Sequence, residues 1–347
     1  MDKKSEAAIR ENALARPAGE REMEGRGSRL LPFLVHRMDD FTFVEFGPEY
    51  LKKSGLSQLM SGVPVPLRGE DEEAFRTEKG MGLNIIAENM AMVVGINPDF
   101  PHRESYKIFI LKFLSKRPAG LLSKMAQAQA EDEKYEEACI LYRAALVMDW
   151  DEPNAMYGYA RVCRVLYNLS EEKERVGRFK AEAFDYLELL TELHPRFAQG
   201  WYYLGYMYLN MGLYTKAGIT WENYLERSKD VSGKEEIKRR LDQIKIPIEI
   251  ERGYTSVMSG RWQEGIAILE PFSDTVYRDW WPIWHYLGEA YLQAGRTEDA
   301  KEAFRSLLKL HGTHVETMES LIEIYREEGD EEMVKKYRGK IELITNT

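Results

Sequence analysis

Histidine and cysteine are the residues of this chain whose types best support metal or covalent chemistry. His311 and His314 are three residues apart, close enough to share a metal ion, but no third ligand is near them in the sequence. We therefore expect two solvent-exposed histidines in a turn and no metal site. Cys139 and Cys163 fall in separate helical segments. Because an isolated cysteine in a helix usually packs as a small hydrophobic residue, we expect both to be buried.

The short motifs that mark common active sites are missing. The chain contains no G-x-x-x-x-G-K-S/T loop, no G-x-S-x-G elbow, no H-E-x-x-H and no C-x-x-C. The residues therefore predict no enzyme and no cofactor. Three tryptophans, Trp280, Trp281 and Trp284, surround Pro282. We expect them to pack at the start of a helix, with an exposed anchor for a partner as the alternative.

Composition narrows the classes of partner. The 347 residues carry a formal net charge of -10, so phosphate groups would be repelled, and we expect neither nucleic acid nor an anionic membrane as partner. No apolar signal core begins the chain, and no run reaches the ~20 apolar residues of a membrane helix. Two cysteines do not make a disulfide framework, which favours the reducing cytoplasm.

The elements that position these side chains form a repeated pattern. Residues 201–225 have large and small residues at helical spacing, a glycine that interrupts the pattern, and then a second helix. Seven positions carry this arrangement, namely Trp201, Leu204, Gly205, Tyr208, Gly212, Ala217 and Trp221. The same offsets return at Trp284, Leu287, Gly288, Tyr291, Gly295, Ala300 and Phe304. Small residues at Gly205, Ala217, Gly288 and Ala300 would let paired helices approach closely. The pattern predicts a helix–turn–helix unit that stacks on copies of itself.

Both stretches match W-x2-L-G-x2-Y, and the chain resembles the tetratricopeptide-repeat family from Ala119 to its C-terminus. The resemblance covers about two thirds of the chain, with two full and four partial matches. It implies a mainly all-α fold, an α-α superhelix or solenoid of about six helix–turn–helix repeats over residues 119–347. An additional polar helix is expected near 233–245, and either a helical insertion or a long loop is expected near 168–177.

The N-terminal third lies outside the resemblance. Residues 1–28 are charged and hold no aromatic residue, which predicts a disordered tail. Residues 29–118 are expected to form a mainly helical cap domain for the solenoid. Any β structure is expected within Leu30–Phe46, as a small hairpin, while residues 62–67 (GVPVPL) are expected to be an extended connector. Helices are predicted for roughly residues 70–94 and for Ser105–Ser115.

The resemblance also implies that the first helix of each repeat lines a concave groove, and that the protein is a non-catalytic scaffold or adaptor that binds a peptide or protein segment there. The groove residues it implies are Tyr157, Arg161, Arg164, Tyr202, Tyr206, Asn210, Tyr254, His285 and Glu289. Further residues expected on this face are Gln199, Ile250, Val257, Gln293, Glu316, Glu319, Glu323 and Glu327. Tyrosine offers a large contact area with a polar tip, which suits recognition. In the alternative, the tyrosines only pack between helices and the glutamates form a solvated face.

Two further hypotheses concern the partner and the function. Repeat proteins of this family that hold acidic chaperone tails use a carboxylate clamp of lysine, arginine and asparagine. Among the expected groove residues only Arg161 and Arg164 are basic, so such a clamp is not expected. The alternative function is a peptide-sensing regulator whose N-terminal domain acts on DNA or another effector. It is suggested by residues 50–66 (YLKKSGLSQLMSGVPVP), which faintly resemble a helix-turn-helix segment, although the surrounding region is not strongly basic.

Overall fold

A computed structural model of the protein describes residues 27–76 and 81–345. The predicted charged tail therefore lies almost entirely outside the described residues. The α-helices are α1 (Leu31–Leu34), α2 (Pro48–Ser54), α3 (Ser57–Met60), α4 (Glu72–Arg76), α5 (Leu83–Ile96), α6 (Arg103–Phe113), α7 (Pro118–Glu131), α8 (Tyr135–Met148), α9 (Pro153–Asn168), α10 (Lys173–Leu193), α11 (Ala198–Asn210), α12 (Tyr214–Arg227), α13 (Val231–Met258), α14 (Trp262–Leu269), α15 (Trp281–Gln293), α16 (Thr297–Leu310), α17 (Val315–Glu327) and α18 (Glu331–Thr345). The predicted mainly all-α fold is confirmed.

Two short strands lie in the N-terminal third. Strand β1 (Thr42–Val44) pairs antiparallel with β2 (Val65–Leu67). Our prediction that β structure stays within Leu30–Phe46 was wrong, because β2 comes from the segment expected to be a connector. Pro66 does not prevent this pairing, since each strand of a two-stranded sheet has a free edge that tolerates a missing N–H donor.

Helix α5 connects this N-terminal region to the first repeat. Its residues from Ile86 to Ile96 are nearly all buried, and it packs against α8. Gly95 makes the approach possible, because a Cβ atom there would overlap the carbonyl oxygen of Ile140. The division of the chain at residues 28 and 118, and a cap function for residues 29–118, stay predictions.

Helices α7 to α18 alternate as the first and second helices of six repeats. In five of these pairs the turn has one geometry, in which a residue with positive φ follows the first helix and the next N–H bonds back to a carbonyl five residues earlier. Arg296 N, for example, lies 2.8 Å from Tyr291 O. The positive-φ residue is glycine in four pairs, namely Gly212, Gly260, Gly295 and Gly329, with φ of 73° to 76°. Glycine adopts this conformation without a steric cost, whereas Glu133, in the fifth pair, has φ 61°.

Two segments between the repeats are helical. Helix α10 begins at Lys173, so the segment near 168–177 extends the second repeat by helical turns and leaves a short loop. The polar segment near 233–245 is not a separate helix but the first half of α13, which continues through Pro247 to Met258. Proline removes one backbone hydrogen bond and usually kinks or breaks a helix, which is why the sequence suggested a boundary there.

The chain divides into two compact units. The N-terminal unit contains residues up to Met207 together with Glu226–Ser228, and the C-terminal unit contains Tyr208–Leu225 and Lys229–Thr347. In the N-terminal unit, α7 pairs with α8, α9 pairs with α10, and α8 also contacts α9. In the C-terminal unit, α13–α14, α15–α16 and α17–α18 form pairs around one apolar core. The close approach predicted at Gly288 is present, because a Cβ atom there would overlap the ring of Phe304.

Candidate functional site

In the N-terminal unit, the predicted groove residues come together on two successive first helices. Helix α9 carries Tyr157, Arg161 and Arg164, and α11 carries Tyr202, Tyr203 and Tyr206. The rings of Tyr157 and Tyr203 lie 5.8 Å apart, and Tyr202 contacts Tyr203 at 5.0 Å and Tyr206 at 5.2 Å. We call these six residues the arginine–tyrosine surface. Tyr203 was not among the predicted residues, although it joins the two helices.

The two arginines of this surface lie over its tyrosine rings. The guanidinium carbon of Arg164 is 4.7 Å from the centre of the Tyr203 ring, and that of Arg161 is 5.8 Å from the same ring. Arg161 is also 5.5 Å from the ring centre of Tyr157. Within residues 27–76 and 81–345 neither arginine forms an ion pair with a carboxylate. Burial, followed by the neighbouring Tyr203, raises the pKa of Tyr157 to about 12, while Arg161 opposes that rise.

A cavity of about 430 Å³ adjoins this surface at the turn between α10 and α11. It is lined by Pro153, Leu193, His194, Pro195, Arg196 and Phe197. The ring of Phe197 lies 5.3 Å from that of Tyr157, so the cavity and the arginine–tyrosine surface share one edge. The arrangement places an apolar recess next to Tyr157, the ring over which Arg161 lies.

In the C-terminal unit, the predicted residues lie on the first helices α13 and α15. Tyr254 of α13 stacks on Tyr286 of α15, with ring centres 4.5 Å apart. The ring centre of His285 lies 5.1 Å from that of Tyr286. The hydroxyl of Ser320 on α17 donates a hydrogen bond to Glu289 at 3.3 Å. Two polar atoms here, Tyr254 Oη and His285 Nδ1, are buried without a hydrogen-bond partner among the described residues.

Two carboxylates of α17 lie near Glu289 of α15. Burial raises the pKa of Glu289; the Ser320 hydroxyl opposes this rise, and the nearby carboxylates of Glu323 and Glu316 add to it. We name the set Tyr254, His285, Tyr286, Glu289, Glu316, Ser320 and Glu323 the glutamate–tyrosine surface. In the part of the chain that the structure describes, Glu289, Glu316 and Glu323 form no ion pair.

Three histidines meet beside Trp281. Its ring lies 4.9 Å from His314 and 5.3 Å from His311, and His285 lies 5.3 Å from His314. His311 is exposed as expected, but His314 is half-buried and accepts a hydrogen bond from the N–H of Thr317 at the start of α17. The spacing of His311 and His314 could not reveal that His285 joins them, because His285 lies on the first helix of the repeat that precedes α17. Among the described residues, no group of three or more His, Cys, Asp or Glu side chains is placed to hold a metal ion.

Some expected groove residues have another role. Ile250 and Val257 are buried in the core of the C-terminal unit, so their assignment to the groove was wrong. Both lie on the side of α13 that faces the apolar core, and their spacing along the helix did not distinguish this face from the other. Asn210 is exposed at the end of α11. Cys139 and Cys163 are buried and free, as expected.

Two observations bear on the nucleic-acid and membrane hypotheses. The segment that faintly resembled a helix-turn-helix folds into α2 and α3, and α3 has only four residues, so it offers no long helix for a DNA groove. No helix in the described ranges combines the length and apolar character needed to cross a bilayer.

Comparison with known families identifies one segment of the repeat region. A family model described as a tetratricopeptide repeat matches residues 281–324, which contain α15, α16 and most of α17. This segment is a tetratricopeptide repeat. The full sequence match at Trp284, Leu287, Gly288 and Tyr291 falls within this segment. No curated protein matches the chain.

Three of the solved structures that match the chain are described as TPR proteins or domains. The P58(IPK) TPR domain is 17% identical, with 65% of this chain and 60% of that domain covered and a TM-score of 0.35. The chain therefore spans less than two thirds of that domain. YrrB, described as a TPR protein with an unusual peptide-binding site, is 15% identical over 67% of this chain and 98% of its own, with a TM-score of 0.32. TTC0263, a thermophilic TPR protein from Thermus thermophilus, is 14% identical over 69% and 98%, with a TM-score of 0.31.

The first helices of the repeats present two chemically different surfaces. The arginine–tyrosine surface is basic and aromatic, and the glutamate–tyrosine surface is acidic and aromatic.

Proposed function

We propose that this tetratricopeptide-repeat protein is a non-catalytic adaptor that binds an extended peptide or protein segment on the first helices of its repeats. The observation that carries the proposal is the position of Arg161 and Arg164 over the Tyr203 ring. The chain has a net charge of -10, yet these two arginines have no carboxylate partner in the described ranges. They are therefore available to bind an acidic group of a partner. Aromatic rings and arginine are also the residue types that contribute most binding energy at protein interfaces.

The geometry favours an acidic segment with one apolar side chain. The guanidinium groups offer planar, charge-assisted hydrogen bonds to carboxylates. The cavity beside Phe197 is large enough for an apolar anchor and is lined mainly by apolar groups. A chaperone-tail clamp is not proposed, because the surface holds tyrosine where such clamps use lysine and asparagine.

The test is selection from a displayed library of random dodecapeptides, followed by fluorescence anisotropy with the selected peptides. We expect the full chain to select acidic peptides that contain an aromatic or aliphatic residue. Tyr202→Ala combined with Tyr206→Ala should weaken their binding by about 30-fold, since such a contact is worth roughly 2 kcal/mol. The melting temperature should stay nearly unchanged, because both rings are only half-buried.

A matched pair of charge variants isolates the arginines. Arg161→Gln with Arg164→Gln should weaken the selected peptides, whereas Lys173→Gln with Arg178→Gln, the same charge change on the second helix α10, should not. If no peptide is selected by the full chain, or if both pairs behave alike, the proposed site is wrong. If the tyrosine variant unfolds, those rings are packing residues and the alternative hypothesis holds.

A cytoplasmic location is part of this proposal. It is supported by the two free, buried cysteines, which are in keeping with a reducing compartment. The regulator that acts on DNA is not proposed, because the short helix α3 gives it no structural support.

A further inference from the structure

The glutamate–tyrosine surface has an electrostatic character opposite to that of the arginine–tyrosine surface. Glu289 lies on α15 and accepts a hydrogen bond from Ser320 of α17 at 3.3 Å, while Glu316 and Glu323 lie on α17 and place two further negative charges near Glu289. Like charges that converge in this way raise the free energy of the unbound protein. A lysine or arginine elsewhere in the C-terminal unit could have relieved this repulsion, but none in the described residues pairs with these three glutamates.

Aromatic and polar groups adjoin these carboxylates. The stacked rings of Tyr254 and Tyr286 lie on α13 and α15. Met258 of α13 is 73% exposed and accepts a weak hydrogen bond from the Tyr286 hydroxyl at 3.7 Å. Tyrosine rings attract the cationic heads of lysine and arginine, while the methylene stems of those residues cover apolar atoms such as those of methionine. Tyr254 Oη and His285 Nδ1 are buried, and no residue in the described ranges forms a hydrogen bond with either atom.

We propose that the glutamate–tyrosine surface docks a basic peptide segment, one that presents lysine or arginine side chains to Glu289, Glu316 and Glu323 and to the rings of Tyr254 and Tyr286. This inference rests on the proposed peptide-binding function and names the class of segment taken by the C-terminal unit. Charge complementarity selects the occupant, because an acidic segment would meet three uncompensated carboxylates here. The arginine–tyrosine surface has the opposite preference, so one chain recognises segments of both signs.

The experiment uses the full chain and two labelled dodecapeptides of defined sequence. One alternates leucine with lysine and arginine, and the other has glutamate and aspartate in place of the basic residues. Fluorescence anisotropy should show binding of the basic peptide that weakens as salt rises. Glu316→Gln with Glu323→Gln, both exposed, should weaken it about fivefold, and adding Glu289→Gln should bring the loss to about tenfold. The matched control is Glu302→Gln, Glu332→Gln and Glu342→Gln on the second helices α16 and α18, which should leave binding unchanged.

The outcomes separate this inference from the function on which it rests. If the acidic peptide binds and the basic one does not, the glutamate–tyrosine surface is not a basic docking site while the proposed function survives. If the basic peptide binds but the control triple variant weakens it as much as the surface variants, binding follows net charge and the site is wrong. If neither this pair nor any library peptide binds, the proposed function fails and this inference fails with it. The exposed double variant keeps the test valid should Glu289→Gln disturb folding.

Discussion

The guanidinium Nε of Arg143 donates a buried hydrogen bond of 2.7 Å to the carbonyl oxygen of Gly95, which joins α8 of the first repeat to the end of α5. Arg143 also donates to Tyr159 Oη at 3.3 Å, and Tyr159 donates to Glu182 at 2.8 Å. Arg29 then lies 3.3 Å from the other carboxylate oxygen of Glu182. One polar network therefore runs from the N-terminal region through the first two repeats of the N-terminal unit.

We expect Arg143→Met to destabilise the protein by about 3 kcal/mol. The substitution keeps much of the side-chain volume but leaves the carbonyl of Gly95 without its buried donor and removes a positive charge that stabilises the buried carboxylate of Glu182. Chemical denaturation measures the change. Arg178→Met, on the exposed side of α10, is the control and should stay within about 0.5 kcal/mol of the parent. Equal stability of the two variants would contradict a structural role for the network.

Gly288→Ala should destabilise the C-terminal unit by about 2 kcal/mol, because the added methyl group would overlap the ring of Phe304. Gly177→Ala in α10 is the matched control, since no described atom beyond the adjoining residues and backbone of its own helix lies within 4 Å of a Cβ atom there. That control should instead gain about 0.5 kcal/mol from the better helix propensity of alanine. Thermal melts of both variants check the prediction, and a melt of Gly288→Ala that equals the parent would contradict the close contact. Gly205→Leu and Ala217→Leu, at the corresponding positions of the third repeat, stay predictions of the sequence pattern.

Glu133→Gly should stabilise the protein by about 0.5–1 kcal/mol. Glu133 has φ 61° at the position that glycine occupies in four other turns, and a side chain in this conformation costs roughly 1 kcal/mol that glycine avoids. The side chain of Glu133 is exposed, so little packing is lost. Gly295→Ala, at the equivalent turn with φ 75°, should lower the free energy of unfolding by a similar amount. Urea denaturation curves of the two variants should shift in opposite directions, and shifts in the same direction would refute the argument.

The stability of the C-terminal unit should decrease as the pH falls below about 6.5, the usual pKa of histidine. Burial lowers the pKa of His285, although Glu316 opposes this, and burial with the nearby His285 and His311 lowers the pKa of His314. The unfolded chain therefore binds more protons than the folded one between these lowered pKa values and about 6.5, and stability rises with pH in that window. Above it both states are neutral and the contribution is constant.

Melting temperatures at pH 7.5 and pH 6.0 test this prediction. The melting temperature of the parent should fall more on acidification than that of His285→Gln combined with His314→Gln, because glutamine does not titrate. His36→Gln with His102→Gln, two histidines of the N-terminal region, is the control, and its melting temperature should fall on acidification by as much as that of the parent. An equal loss in the parent and the first double variant would show that these histidines do not govern the pH dependence.

The sequence by itself determined the repeat architecture, because helix formation and helix ends depend on contacts a few residues apart. The spacing of Trp284, Leu287, Gly288 and Tyr291 marks one helix face, and Gly212, Gly260, Gly295 and Gly329 mark turns that need a positive φ. These local signals predicted the helix pairs and carry the resemblance to the tetratricopeptide-repeat family. The spacing of Tyr157, Arg161 and Arg164 was also sufficient to predict that these three residues share one helix.

Only the tertiary structure decided which side chains meet. Tyr203 joins α9 to α11, and His285 joins His311 and His314, because the helix packing sets distances between residues far apart in the chain. The same packing buried Ile250 and Val257, paired β2 with β1, and kept α13 continuous through Pro247. In each case the free energy of burying apolar surface and satisfying backbone groups outweighed a local preference, and the sequence pattern shows only the preference.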